Sequence, residues 1–245
     1  MKRAKPDCPR RNSVLKYSGV IMTDGAGSNI RSAYNVLFAI AAIAAIASAL
    51  LGENARWLHY ISKPLATALL LFIVVQTVTP VSKRYQWAVA VGLVFSLCGD
   101  IFLMLPQDMF VAGLICFLIT HCAYIIALTS NVRLAAVPAT FVACTLLALA
   151  IVWGLWSSLP AELTLPVTVY ALVLALMGAQ AISRAQHLAT HSAKLAAIGG
   201  ALFLASDTLL AYGKFRFTIP VGPFWVLGTY YAAQWFIARS VAKSE

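Results

Sequence analysis

The stretch GLVFSLCGDIFLML, residues 92–105, is apolar from end to end except for one carboxylate, Asp100. Such a run belongs to a membrane-crossing helix, where an ionised acid costs about 2.5–3.5 kcal/mol on insertion scales. An acid kept at that cost faces a protein interior or a water-filled cavity and marks a functional site. A second stretch, GGALFLASDTLLAY at residues 199–212, repeats the arrangement around Asp207. The two aspartates organise the chain.

The rest of the chain agrees. Of its 245 residues, 61% are hydrophobic and 11% charged, with a mean hydropathy of +0.84. About a quarter charged is usual for a soluble domain, so that class is excluded. The apolar runs approach twenty residues, which excludes the roughly ten-residue alternating strands of an outer-membrane barrel. The expected fold is all-α: a polytopic membrane helical bundle of about eight transmembrane helices. The runs fall at 33–51, 57–79, 86–105, 108–129, 134–156, 164–183, 195–212 and 220–241. Each spans a hydrocarbon core of about 30 Å at about 1.5 Å per residue.

Residues 1–32 read as a basic, flexible cytoplasmic N-terminal segment, and residues 33–245 as a single transmembrane helical domain. The basic start is not followed by an apolar core, so no cleavable signal peptide is expected, and Met22 is a second candidate start. The N-terminus, loops 2-3, 4-5 and 6-7 and the C-terminus hold 14 Lys and Arg, against 3 in the other loops. Both termini are therefore expected in the cytoplasm. The net charge of +10 follows from this topology, and no nucleic acid partner is expected. Four of the five cysteines (Cys98, Cys116, Cys122 and Cys144, but not Cys8) lie in apolar runs without a CxxC pair, so neither a disulfide framework nor a zinc site is read.

A shift of 107 residues lays Gly92 on Gly199, Leu97 on Leu204, Asp100 on Asp207 and Leu103 on Leu210. With two residues inserted, Thr120-His121 meets Thr229-Tyr230. Four helices separate the partners, which suggests a parallel internal repeat of four plus four.

Of the eight acids, only Asp100 and Asp207 lie well inside expected spans. Each is five residues from the outer end of its helix, roughly 8 Å at the helical rise, and Lys63 and Tyr170 are six residues from the same side. Four polar groups from four helices thus converge on one level. Two plainer readings stand beside this one: the aspartates fix helix packing, and Lys63 snorkels to the outer interface. Pro64 opens a local gap in the hydrogen bonding of its helix, which suits a site lining. His121 sits about 20 Å from the outer end, a depth that fits packing or a supporting role, with Tyr124 nearby. Tyr230 and Gln234 share a helix face at i and i+4. His187 and His191 read as solvated. No HExxH, GxSxG or Walker A motif occurs, and no metal or cofactor is expected.

The ordered set Lys63-Pro64-Leu65, Gly99-Asp100, His121 with Tyr124, Tyr170, Ser206-Asp207, and Tyr230 with Gln234 resembles the YhhN-type lysoplasmalogenase family of eight-helix membrane proteins. The resemblance implies a membrane hydrolase that cleaves the vinyl ether bond of a lysoplasmalogen to a fatty aldehyde and glycerophosphocholine or glycerophosphoethanolamine. Its partners would be a lysophospholipid drawn from the bilayer and membrane lipids, and its location a bacterial inner membrane.

Vinyl ether hydrolysis needs one carboxylic acid to protonate the β-carbon, and one carboxylate to stabilise the oxocarbenium ion and activate water. Glycosidases divide the work of two carboxyls in the same way. Asp100 and Asp207 would form the pair, with either in either role. Lys63 would favour ionisation of one or hold phosphate, and Tyr170 would orient a carboxyl or water. A proton-coupled transporter using the same aspartates, or a lipid-binding protein without turnover, are the competing readings.

Overall fold

The computed structural model describes residues 24–243. Most of the expected N-terminal segment, with Cys8 and Met22, lies outside the described residues. Within them run eight α-helices: α1 Asp24–Leu51, α2 Arg56–Val75, α3 Lys83–Met104, α4 Phe110–Leu128, α5 Pro138–Leu155, α6 Ala161–Leu188, α7 His191–Phe215 and α8 Gly222–Arg239. Short 3-10 turns follow α1 and α5, and the described residues hold no strand beyond an isolated bridge between Pro80 and Ala242.

Local chemistry sets the helix ends. Ser82 Oγ accepts the Tyr85 N–H at 3.1 Å to start α3, and Thr190 Oγ1 accepts the Ala193 N–H at 3.3 Å to start α7. These side chains satisfy donors that a helix leaves open at its first turn. Proline opens α5 and α8, where its missing N–H costs nothing. α6 ends at Ala189, which adopts a left-handed φ of 53°.

The largest boundary differences have a common cause. α1 begins at Asp24 and not at residue 33, and α6 and α7 run several residues past the expected apolar limits. Hydropathy detects the part of a helix in hydrocarbon; polar helical turns beyond it carry no such signal. By length and composition, six segments among the described residues can cross a membrane: 32–75, which holds α1 and α2 together, and α3 through α7. α8 stands outside that set because its 18 residues include Thr229, Tyr230, Tyr231, Gln234 and Arg239. The protein is a polytopic helical membrane protein.

α3 packs most extensively with α4, and α7 with α8, while α1–α2, α6–α7, α5–α6, α2–α3, α4–α6, α1–α8 and α2–α8 contacts complete the bundle. α5 buries only Ala148, Val152 and Leu155 fully and is peripheral. The two tightest pairs close on glycine. A Cβ on Gly92 would meet the Tyr124 ring at 2.2 Å, and one on Gly199 would meet the backbone carbonyl oxygen of Ala233 at 2.9 Å. Small residues let membrane helices approach closely, because dispersion contacts take over from the hydrophobic effect there. Backbone cannot swing aside as a side chain can. Gly199→Ala is therefore expected to lower the apparent melting temperature by several degrees, an overpacking cost of about 1–3 kcal/mol. Gly213→Ala, whose Cβ would meet Ile219 only at 3.6 Å, is the control and is expected to change little. Thermal size-exclusion profiles of the two variants check this.

Candidate active site

Asp100 comes to the inner face of α3 and is 1% exposed. Its Oδ2 accepts hydrogen bonds from Thr67 Oγ1 and Tyr230 Oη, both at 2.7 Å, and its Oδ1 lies 3.5 Å from Lys63 Nζ. Lys63 is 6% exposed and turned into the bundle, so the snorkelling reading is overturned. The reason is geometric. Lys63 and Thr67 are one turn apart on α2 and present the same face to Asp100, where a buried ion pair with extra hydrogen bonds holds the lysine inward.

The network continues through α8. Gln234 Nε2 donates to Tyr230 Oη at 3.3 Å and to Ser96 Oγ at 2.7 Å, and Tyr124 Oη donates to Gln234 Oε1 at 2.6 Å. Ser96 Oγ donates to Thr120 Oγ1 at 3.2 Å, and that hydroxyl donates to the Gly92 carbonyl at 3.0 Å. Tyr124 and Gln234 therefore support Tyr230, and among the described residues neither is hydrogen-bonded to Asp100.

Asp207 has a separate set of partners. Tyr170 Oη donates to Asp207 Oδ2, and His121 Nε2 lies 2.9 Å from Tyr170 Oη and 3.5 Å from Asp207 Oδ2. The single hydroxyl hydrogen of Tyr170 goes to the carboxyl, so His121 Nε2 carries a hydrogen and donates to the Tyr170 oxygen. Among the described residues, His121 Nδ1 is buried without a hydrogen-bond partner.

His121 thus joins the acid level, contrary to its expected depth. α4 begins at Phe110 and α7 extends to Phe215, so His121 is eleven residues and Asp207 eight residues from their helix ends. The depths of roughly 16 and 12 Å that follow from the helical rise are close enough for Tyr170 to bridge.

No hydrogen bond joins the two carboxyls among the described residues. Phe203, fully buried, stands between the networks, its ring centroid 4.8 Å from His121 and 5.6 Å from Tyr230. Both acids nevertheless line one cavity of about 550 Å³, together with Lys63, Ser206, Tyr230 and His59. Ser206 Oγ donates to the Val226 carbonyl at 3.0 Å and so ties α7 to α8 at the cavity wall. Asp207, with its side chain 12% exposed, also lines a second, apolar cleft of about 60 Å³ between α4, α5, α6 and α7. The acid at this junction can meet an amphiphile whose polar part fills the cavity and whose chain enters the cleft.

Thr67, Ser96, Phe203 and His59 went unnoticed in the sequence. Thr67 follows Lys63 by four and Ser96 precedes Asp100 by four, so helical spacing from the charged residues held a signal for both. His59, which precedes Lys63 by four on α2, held the same signal, and Phe203 had none. His187 and His191 are exposed, as expected. No group of three or more His, Cys, Asp or Glu suited to a metal occurs among the described residues.

A family model described as the YhhN family matches residues 58–241. The chain is similar to a lysoplasmalogenase, TMEM86A, of Bos taurus, with 36% identity over 159 residues, covering 63% of this chain and 65% of that protein. The Homo sapiens protein of the same name is 35% identical over the same lengths. A lysoplasmalogenase of Mycobacterium tuberculosis is 35% identical over 144 residues, 56% of this chain and 52% of that protein. The chain thus spans between about half and two thirds of the length of these relatives. No solved structure matches it significantly.

Proposed function

Because the chain belongs to the YhhN family, we propose that it is a membrane hydrolase cleaving the vinyl ether bond of a lysoplasmalogen, with Asp207 as general acid and Asp100 as the ionised partner. The observation that carries this reading is the position of Asp207 at the junction of the larger cavity, which holds Lys63, Asp100, Asp108 and Lys214, and the apolar cleft. A single-chain lipid with its head group in the cavity and its first chain carbons in the cleft has its vinyl ether beside that carboxyl.

Hydrogen bonding supports the division of roles. Every partner of Asp100 is a donor: Lys63, Thr67 and Tyr230. Such surroundings suit an ionised, acceptor-only carboxylate. Among the described residues, the hydrogen bond and the His121 contact of Asp207 both fall on Oδ2, so Oδ1 is the oxygen to carry a proton toward the cavity. Asp207 transfers that proton to the β-carbon of the vinyl ether, and the double-bond electrons form the new C–H bond. The α-carbon becomes an oxocarbenium ion. Asp100 stabilises this cation and takes a proton from the water that adds to it; as the hemiacetal breaks its C–O bond to the glycerol oxygen, that proton passes to the departing oxygen and the hemiacetal hydroxyl returns a proton to Asp207, restoring both carboxyls. The products are fatty aldehyde and the glycerophospho-head group, one water being consumed.

The finer topology belongs to the same proposal: eight spans, both termini cytoplasmic, in a bacterial inner membrane. The halves would form a parallel repeat. An offset of 107 lays Lys63 on Tyr170 as well as Asp100 on Asp207, and His121 matches Tyr230 at 109. Lys63 and Tyr230 hold Asp100, while their counterparts Tyr170 and His121 hold Asp207. The matching partner sets support two halves with one ancestor, one of which kept a lysine where the other has a tyrosine.

The full chain in nanodiscs, given 1-alkenyl-glycerophosphocholine or -ethanolamine, is expected to release fatty aldehyde, detected by coupled reduction with NADH and an alcohol dehydrogenase. Absence of aldehyde with both lipids overturns the reading.

A further inference from the structure

We infer that the ion pair of Lys214 and Asp108 at the cavity rim reads a zwitterionic head group, Lys214 taking the phosphate and Asp108 the choline or ethanolamine cation. This rests on the proposed lysoplasmalogen substrate and assigns its head-group subsite. Both residues line the same cavity as Asp100 and Asp207. Lys214 Nζ lies 3.2 Å from Asp108 Oδ1 and 4.7 Å from the centroid of the Phe110 ring, over its face.

Three observations support this assignment. The first is reach: Lys214 follows Asp207 by seven residues on α7, two turns along one face and about 10 Å at the helical rise. Seven bonds separate the protonated carbon of the vinyl ether from phosphorus, about 8–9 Å when extended with bonds near 1.5 Å. A substrate with its reacting carbon at Asp207 therefore brings its phosphate to Lys214. The second is availability. Lys63, the other lysine of the cavity, is engaged by buried Asp100, whereas the side chains of Lys214 and Asp108 are 33% and 75% exposed. An exposed pair is weakly held and opens readily for a ligand that replaces both contacts. The third is complementarity. When Lys214 turns to phosphate, the Phe110 face and Asp108 are freed together, and an aromatic face beside a carboxylate suits a quaternary ammonium.

The test uses the full chain in nanodiscs and two lipids that cannot be cleaved, 1-O-hexadecyl-glycerophosphocholine and the bare phosphate monoester 1-O-hexadecyl-glycerophosphate, with binding measured at equilibrium. Asp108→Asn is expected to weaken the choline lipid about fivefold or more and to strengthen the phosphate monoester, because it removes an anion and frees Lys214. Lys214→Met is expected to weaken both about tenfold, and Lys214→Arg to keep both. A purely structural ion pair would move both lipids the same way in Asp108→Asn; that result, or an unchanged ratio, overturns the assignment. These readouts do not need turnover. A protein that binds with this pattern and releases no aldehyde from alkenyl lipids keeps the head-group subsite and loses the hydrolase reading, and the reverse pattern does the opposite.

Discussion

Replacing Asp207 with asparagine is expected to lower aldehyde release about a thousandfold, the middle of the 10²–10⁴ range that a positioned general acid contributes. The amide is nearly isosteric, its oxygen can still accept from Tyr170, and the neutral group adds no buried charge. Fold and lipid binding should therefore survive while the transferable proton is gone. Binding of the uncleavable choline lipid within about twofold of the parent protein would separate lost chemistry from lost structure. Tyr170→Phe should cost much less, since it removes the orienting hydroxyl and leaves the acid. An Asp207→Asn protein that turns over at the parent rate refutes the acid assignment, and the role would then pass to Asp100.

Removing Lys63 should have the largest effect on stability of any single cavity residue. Lys63→Met leaves Asp100 buried with its countercharge deleted, and breaking one partner of a buried pair costs about 3–5 kcal/mol. The double variant Lys63→Met with Asp100→Asn replaces charge by neutral groups on both sides. It should recover a good part of that loss, although it releases no aldehyde. Thermal unfolding of the two single variants and the double completes the cycle. Strictly additive losses would mean that Lys63 and Asp100 do not depend on one another, against the 3.5 Å contact.

Much of the site was legible in one dimension. Asp100 and Asp207 stand out because an acid in an apolar helix is costly wherever the helix goes, and distance from the helix end brought Lys63 and Tyr170 to their level. The same arithmetic gave His121 a packing or supporting role about 20 Å deep; the supporting role stands, against Tyr170, but the depth shrinks because α4 begins at Phe110, while α7 runs on to Phe215. Thr67 and Ser96 were reachable by helical spacing once a charged centre had been chosen. Phe203 was not, because an apolar aromatic in an apolar helix carries no distinguishing mark until its neighbours are known.

The chain by itself determined that this is a helical membrane protein, and that two acids are kept in long apolar helices at a cost. Those properties depend on composition and local spacing, which any helix carries with it. Only the tertiary structure decided which partners each acid has, that Phe203 lies between the two networks, and that Asp207 lines both the larger cavity with its charged residues and the apolar cleft. Partner choice depends on how each helix is rotated and how closely it crosses its neighbour. Contacts such as Gly92 against Tyr124 and Gly199 against the Ala233 backbone set that closeness between residues 32 and 34 positions apart.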